Sequence, residues 1–442
     1  MTQNTSEITL FWFRRDLRLY DNAGLYHALK ANKNVLPLFI FDQNILKLLA
    51  KDDLRVQFIH QVLSKMQTEL KIKKTDLLCE YGSPIDVFKK LSEKYIIKSV
   101  YTNHDYEPAA IERDLKIQQL LEKKGIDFKT YKDQTIFEKN EIQTDLGKPY
   151  TVYTPYKKKW LASLSPFYLK PYPVDLYEGH YFKTKSMDQA DLIMPSLKDM
   201  GFQKTDFTYP EELVSQKILK KYAETRDYPF LEQGTSKLGL HLRFGTVSVR
   251  ELAKEAKKHS DIWLSELIWR DFFMQILWNF PHVEKASFRP KYEKIKWRNE
   301  PEEISKWKNG QTGYPLVDAG MRELNATGHM HNRVRMVVAS FLTKHLLHHW
   351  LIGERYFAEK LLDYDLSANN GNWQWSAGTG CDAAPYFRVF NPEAQIKKFD
   401  PDYVYTKKWV PEFETAKYIK PIVEHTFARQ RALTEFKKGL ES

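Results

Sequence analysis

Between Leu362 and Trp375 the sequence LDYDLSANNGNWQW crowds two carboxylates, three asparagines and two tryptophans into fourteen positions with few aliphatic residues. Buried polar groups need partners. The stretch therefore serves either as a polar loop that caps a helix, with Asn370-Gly371 as its turn, or as the lining of a site for a planar, polar ligand. A second concentration lies upstream. Trp263, Glu266, Trp269, Arg270 and Phe273 recur at three- and four-residue steps and so share one helix face or its margins. An interior Glu and Arg beside tryptophans call for pairing or for a ligand that offers both a flat face and a hydrogen-bonding edge.

Two further segments carry chemistry. Tyr222 is followed by Gly234-Thr235-Ser236-Lys237-Leu238-Gly239, in which hydroxyls and backbone N–H groups beside a small-residue turn suit a pyrophosphate, or equally an ordinary loop and helix cap. Asn332-Arg333-Val334-Arg335-Met336 precedes a long helical run, and Asp363 is a carboxylate candidate for Arg335. His345, His348 and His349 have a spacing that binds metal on a helix, but no acid or cysteine nearby completes a site. The expectation there is a non-metal cluster at the core edge or in solvent. Cys381 reads as a small buried residue, and Lys157-Lys158-Lys159 as a solvated face.

Together with Arg14-Arg15-Asp16-Leu17-Arg18-Leu19-Tyr20-Asp21-Asn22, these motifs follow one another from Phe11 to about Trp409 in an order that resembles the photolyase/cryptochrome flavoproteins. The closest resemblance within them is to the microbial cyclobutane pyrimidine dimer photolyases. It implies light-driven repair of DNA through an electron passed from excited, reduced FAD to a flipped dimer. FAD would be held by Tyr222, Thr235, Ser236, Lys237, Leu238, Trp263, Arg270, Arg335, Asp363, Asp365 and Asn369; position 239 is Gly where the family carries Ser, so one hydroxyl contact is lost there. The dimer would meet Glu266, Trp269, Asn332, Met336 and Trp375. Trp373, Trp350 and Trp297 match the family's electron-transfer chain, and Arg226, Arg333 and Gln395 its DNA contacts, alongside Glu266, Trp269 and Asn332. Relatives that act on the (6-4) photoproduct carry histidines at the positions of Asn332 and Met336. Alternatives are a cryptochrome-like photosensor, a (6-4) photolyase, or a plain flavin- or DNA-binding module, which leaves Glu266 and Trp269 unexplained.

Positioning these groups requires two different architectures. Apolar runs of strand length at 9–13, 35–41, 77–80 and 98–102 alternate with helical spacing at 53–70, 84–96 and 109–124, which predicts a parallel sheet with crossover helices. This gives an α/β, Rossmann-like domain over 1–130, although no G-x-G-x-x-G follows the first strand. Residues 131–205 lose periodicity and gain Pro, Tyr and Lys, as a linker would. From 206 to 442 helical spacing dominates, at 211–224, 247–258, 261–278, 315–325, 331–350 and 353–362, predicting an all-α domain, in which the resemblance places FAD and DNA. The family often holds a second, light-harvesting chromophore in the α/β domain; where folate binders carry an Asn-Glu pair this chain has Ala109-Ala110, which argues against folate and leaves the pigment's identity open.

The 442 residues carry a net charge of +11, which fits an anionic partner such as nucleic acid. Two cysteines are too few for a disulfide framework, no apolar run is long enough to span a membrane, and the first residues show no basic region followed by an apolar core. The expectation is a soluble, cytoplasmic monomer that binds damaged DNA and no metal.

Overall fold

The computed structural model describes residues 4–441. In chain order its elements are β1 (Asn4–Phe13), α1 (Ala23–Ala31), β2 (Val35–Asp42), α2 (Gln43–Leu46), α3 (Leu54–Ile72), β3 (Leu78–Gly82), α4 (Pro84–Lys94), β4 (Tyr95–Asn103), α5 (Pro108–Glu122) and β5 (Asp127–Tyr131). There follow α6 (Tyr153–Ser163), α7 (Gln216–Thr225), α8 (Gly239–Phe244), α9 (Val249–His259), α10 (Asp261–Asn279), α11 (Pro301–Lys308), α12 (Pro315–Thr327), α13 (Asn332–Ser340), α14 (Trp350–Lys360), α15 (Leu366–Ala377), α16 (Pro392–Phe399), α17 (Val404–Trp409) and α18 (His425–Glu441). The chain forms two compact units. One gathers residues up to Glu138 with Leu164–Glu212 and Leu238–Glu255; the other gathers Lys139–Ser163, Leu213–Lys237 and the chain from Ala256 onward. The stretch 131–205 contributes to both.

The first unit is built on a five-stranded parallel sheet of order β3-β2-β1-β4-β5. Helices cover a parallel sheet on both faces, so its inner strands are apolar throughout. β2 (VLPLFIFD) is buried over its first seven residues, and β1 lies central, with Thr9 beside Val35 and Phe13 beside Phe39. Helix starts follow their caps: Ser83 accepts from the Asp86 N–H at 3.3 Å, with Pro84 in the first turn. The charged loop after β1 is tied by buried ion pairs, Arg18 to Asp133 at 2.6 Å and Arg250 to both Asp133 and Asp21 at 2.8 Å. β5 (DFKTY) escapes a search for apolar runs because it is an edge strand whose residues are half-exposed or exposed.

The second unit is helical around a core that includes Trp307, Phe341, Leu342, Trp350, Phe357 and Trp373. The run 331–350, which reads as one helix from its spacing, is two. α13 ends at Ser340, a π-turn covers Phe341–His345, Leu347 takes a φ of 55°, and α14 starts afresh at Trp350. The break buries His345 and His348 completely, the first 2.8 Å from His425. Among the described residues no group of three or more His, Cys, Asp or Glu could hold a metal ion.

Candidate functional site

α10 supplies the first wall. Ser260 caps it by accepting from the Trp263 N–H at 3.2 Å, and eleven of its nineteen residues are buried, Asp271 and Gln275 among them. The Trp263 indole N–H donates to Ser236 Oγ at 3.3 Å, which brings the Gly234–Lys237 segment onto this helix. Because Ser236 accepts that bond, its own proton is left to donate to an anionic oxygen. Leu238 and Gly239 open α8 and belong to the α/β unit. Two turns along, Trp269 is stacked face to face with Tyr153, ring centroids 3.5 Å apart and planes at 6°. Tyr153 begins α6, inside the stretch read as linker, and donates its hydroxyl to the Ser265 carbonyl at 2.9 Å; Lys157 on the same helix donates to Ser265 Oγ at 2.5 Å. Arg270 is half-buried on the same helix.

Glu266 is half-buried on this helix, and burial pushes its carboxyl up from the ordinary range while the paired Arg226 opposes the shift. Arg226 lies at the end of α7, beside the buried Tyr222 ring at 5.5 Å. Asp227, next in sequence, stands 3.9 Å from Arg226 Nε and 2.6 Å from Arg333 Nη2. Neither the pairing of Arg226 with Glu266 nor that of Arg333 with Asp227 follows from sequence spacing.

α13 begins under His331, whose Nδ1 accepts from the Arg333 N–H at 3.2 Å. That bond fixes the tautomer and leaves a buried Nε2–H without a partner. The expected Arg335–Asp363 pair forms, one guanidinium nitrogen lying 2.9 and 3.1 Å from the two carboxylate oxygens, while Arg335 Nε donates to the Met330 carbonyl at 2.7 Å. Asp365 caps α15: its Oδ1 accepts from the Ser367 and Ala368 N–H groups at 3.1 and 3.3 Å and from the Ser367 hydroxyl at 2.5 Å. Asn369, one turn on, donates its amide to Glu354 Oε1 at 2.9 Å and to the Glu354 carbonyl at 3.0 Å, which leaves its own Oδ1 as an acceptor.

Glu354, like Tyr153 and Asp227, is not singled out by the sequence. It is 5 % exposed, and burial pushes its carboxyl up to about 7, against the lowering effect of the Asn369 bond. Between the ordinary carboxylate range and pH 7 the folded chain thus holds a proton that the unfolded chain has lost, so stability falls as pH rises through that window. At pH 8 the penalty is at most about 3–4 kcal/mol, from ~1.4 kcal/mol per unit. Glu354→Gln keeps the acceptor for Asn369, and denaturant melts should find it level with wild type near pH 4.5 and more stable at pH 8. An unchanged difference between the two pH values would show that the Glu354 carboxyl titrates alike in the folded and the unfolded chain.

Trp373 and Trp350 are both buried in one core, and Trp297 packs against it. His349 lies between the outer two, 5.7 Å from Trp350 and 5.4 Å from Trp297 by ring centroids. Trp373 meets Phe357 at 4.9 Å and Trp307 at 6.1 Å. Gly353 lies directly against it: a Cβ there would come within 2.0 Å of the indole, so α14 and α15 approach this closely only because the position has no side chain. Gly371 does the same for the Phe273 ring of α10, at 2.1 Å. Trp375, two residues past Trp373, turns off that face and is half-buried. Gln395 is on α16, half-buried, its Oε1 without a hydrogen bond. Thr235, Lys237, Asn332 and Met336 line the same unit, Met336 Sδ 3.9 Å from Arg333 Nη1.

Two family models match the chain, one for DNA photolyase over residues 9–175 and one for the FAD binding domain of DNA photolyase over residues 263–419. A deoxyribodipyrimidine photo-lyase of Halobacterium salinarum is 35 % identical over 484 aligned residues, covering 97 % of this chain and 99 % of that protein. Among solved structures, a class III photolyase of Agrobacterium tumefaciens superposes with a TM-score of 0.86 at 29 % identity, covering the whole of both chains. An archaeal photolyase of Sulfolobus tokodaii, crystallised with two FAD molecules, superposes with a TM-score of 0.84 at 34 % identity, covering 98 % of this chain and all of that one.

Proposed function

The chain belongs to the DNA photolyase family, and from that premise we infer that it is a deoxyribodipyrimidine photo-lyase, a flavoprotein that uses light to split cyclobutane pyrimidine dimers in DNA. The observation that carries the reading is the pairing, on one face of α10, of a stacked aromatic platform, Trp269 on Tyr153, with the acid Glu266 held by Arg226. A dimer taken out of the duplex loses its stacking and exposes its hydrogen-bonding edges. Trp269 restores the first loss, and Glu266 with the Asn332 amide meets the second, while Met336 and Trp375 pack against the pyrimidines.

Reduced FAD supplies the absorbing group and the transferred electron when bound. The donor set fits it. Ser236 has a proton to give an anionic phosphate oxygen, Thr235 and Lys237 adjoin it, and Leu238 and Gly239 continue the segment. Arg335, balanced by Asp363, offers a delocalised cation, the Asn369 carbonyl can accept from a ring N–H, and Tyr222, Trp263, Arg270 and Asp365 complete the set. In the α/β unit, a second pigment is in keeping with the archaeal relative that holds two FAD molecules. Ala109 and Ala110, in the first turn of α5, speak against folate as that pigment. No helix among the described residues is long and apolar enough to cross a membrane. Both cysteines are free and buried, which suits a reducing cytoplasm.

The test is to load the purified protein with FAD, reduce it, and illuminate it with an oligonucleotide bearing one cyclobutane dimer. Restored pyrimidines should accumulate only in light. Glu266→Ala should lower the yield about tenfold, the loss of one charge-assisted hydrogen bond of ~1.5 kcal/mol or more. Loaded protein that restores no dimer overturns the reading.

A further inference from the structure

The polar groups at the mouth of the site form a chain of four charges, Glu266, Arg226, Asp227 and Arg333, of which Asp227 has no part in holding dimer or flavin. Its Oδ1 is 2.6 Å from Arg333 Nη2 and 3.9 Å from Arg226 Nε, so one carboxylate oxygen serves both guanidiniums. Arg333 is otherwise poorly provided for: it lies 4.2 Å over the Phe399 ring, its Nε is buried without a partner, and its Nη1 faces only Met336 Sδ at 3.9 Å. Arg226 has its second partner in Glu266. Both arginines are thus held by an acid before any DNA arrives.

We propose that Asp227 is a specificity-determining residue, a carboxylate that competes with DNA phosphate for Arg226 and Arg333 and so keeps undamaged DNA from using them. This rests on the dimer-repair reading above. Undamaged DNA offers phosphates but no flipped pyrimidine, and to use either arginine it must displace a carboxylate already in contact. Dimer DNA brings a second ligand: when the pyrimidine edges engage Glu266, Arg226 loses that acid and takes Asp227 in its place, which frees Arg333 for phosphate. Asp227 thereby subtracts binding from every duplex, and only the damaged one returns it. A negative charge among phosphate-binding cations otherwise weakens all binding alike.

Binding of dimer-containing and undamaged duplexes to the FAD-loaded protein, measured across a salt series, tests this in wild type, Asp227→Asn and Asp227→Glu. Wild type should prefer the dimer, with a steeper dependence of log affinity on log salt for it than for undamaged DNA. Asp227→Asn keeps the shape and removes the charge. It should bind undamaged DNA about three- to tenfold more tightly, the size of one or two exposed ion pairs, and its slope on that DNA should steepen by about 0.9 for each arginine released to a phosphate. Affinity for the dimer should change less, so the preference narrows; Asp227→Glu should restore it. Unchanged preference and slopes in Asp227→Asn overturn the proposal, and so does an equal loss of affinity for both duplexes, which would make Asp227 a mere support for the arginines. Wild type with no preference for the dimer would instead overturn the repair reading itself.

Discussion

Trp373→Phe should slow photoreduction of the oxidised flavin by about a hundredfold or more while leaving dimer repair by already reduced protein within about twofold. A hundredfold loss needs a barrier only ~2.7 kcal/mol higher, and a benzene ring is far harder to oxidise than an indole. The substitution keeps most of the apolar volume beside Phe357 and over Gly353, so the site should survive it. The cavity left should cost no more than about 1–3 kcal/mol of stability. Repair by reduced protein takes its electron from the cofactor and gives it back, and needs no tryptophan donor. Transient absorption on the oxidised protein and dimer yield on the reduced protein separate the two roles. Photoreduction at the wild-type rate would remove Trp373 as first donor and direct attention to its neighbour Trp307, 6.1 Å away.

What could be read in advance divides along a physical line. Elements set by local periodicity came out within a few residues: α10 was expected at 261–278 and spans Asp261–Asn279, and the strand expected at 35–41 spans Val35–Asp42. So did Arg335–Asp363, because each partner stands in a recognisable motif of its own. Groups that act through distant contacts did not. Tyr153 lies in a stretch rich in Pro, Tyr and Lys that has no helical period, yet it covers one face of Trp269, 116 positions away. Glu354 sits in a helix of mixed polar and apolar residues where a charged side chain is ordinary; only the fold turns it inward to Asn369. Asp227 adjoins Arg226 in sequence, but its shorter contact is with Arg333, 106 residues on. The break between α13 and α14 was hidden for a related reason, since a π-turn keeps the apolar residues inward and so preserves the pattern of a continuous helix.

Repair should be confined to cyclobutane dimers, with restoration of (6-4) photoproducts lower by about a hundredfold or more, the contribution of a positioned general acid. The (6-4) reaction needs a proton donor beside the lesion as well as an electron. By the resemblance of their motif, Asn332 and Met336 match positions at which the (6-4) enzymes carry histidines, and neither an amide nor a thioether is an acid near neutral pH. The nearest histidines do not replace them. His331 and His329 are both pushed down to about 4, chiefly by burial, so each is neutral at pH 7. His331 is further committed, its Nδ1 accepting from the Arg333 N–H at the start of α13. Glu266 is raised by its burial and opposed by Arg226, with which it is paired before the lesion arrives. Splitting a cyclobutane ring asks only that an electron be lent and recovered, so cyclobutane repair should vary little between pH 6 and 8. Reduced protein illuminated with oligonucleotides carrying each lesion separately, at both pH values, decides the matter. Restoration of the (6-4) substrate at a rate comparable to the cyclobutane dimer would mean that some group at this mouth gives up a proton, and would move the chain into the other repair class.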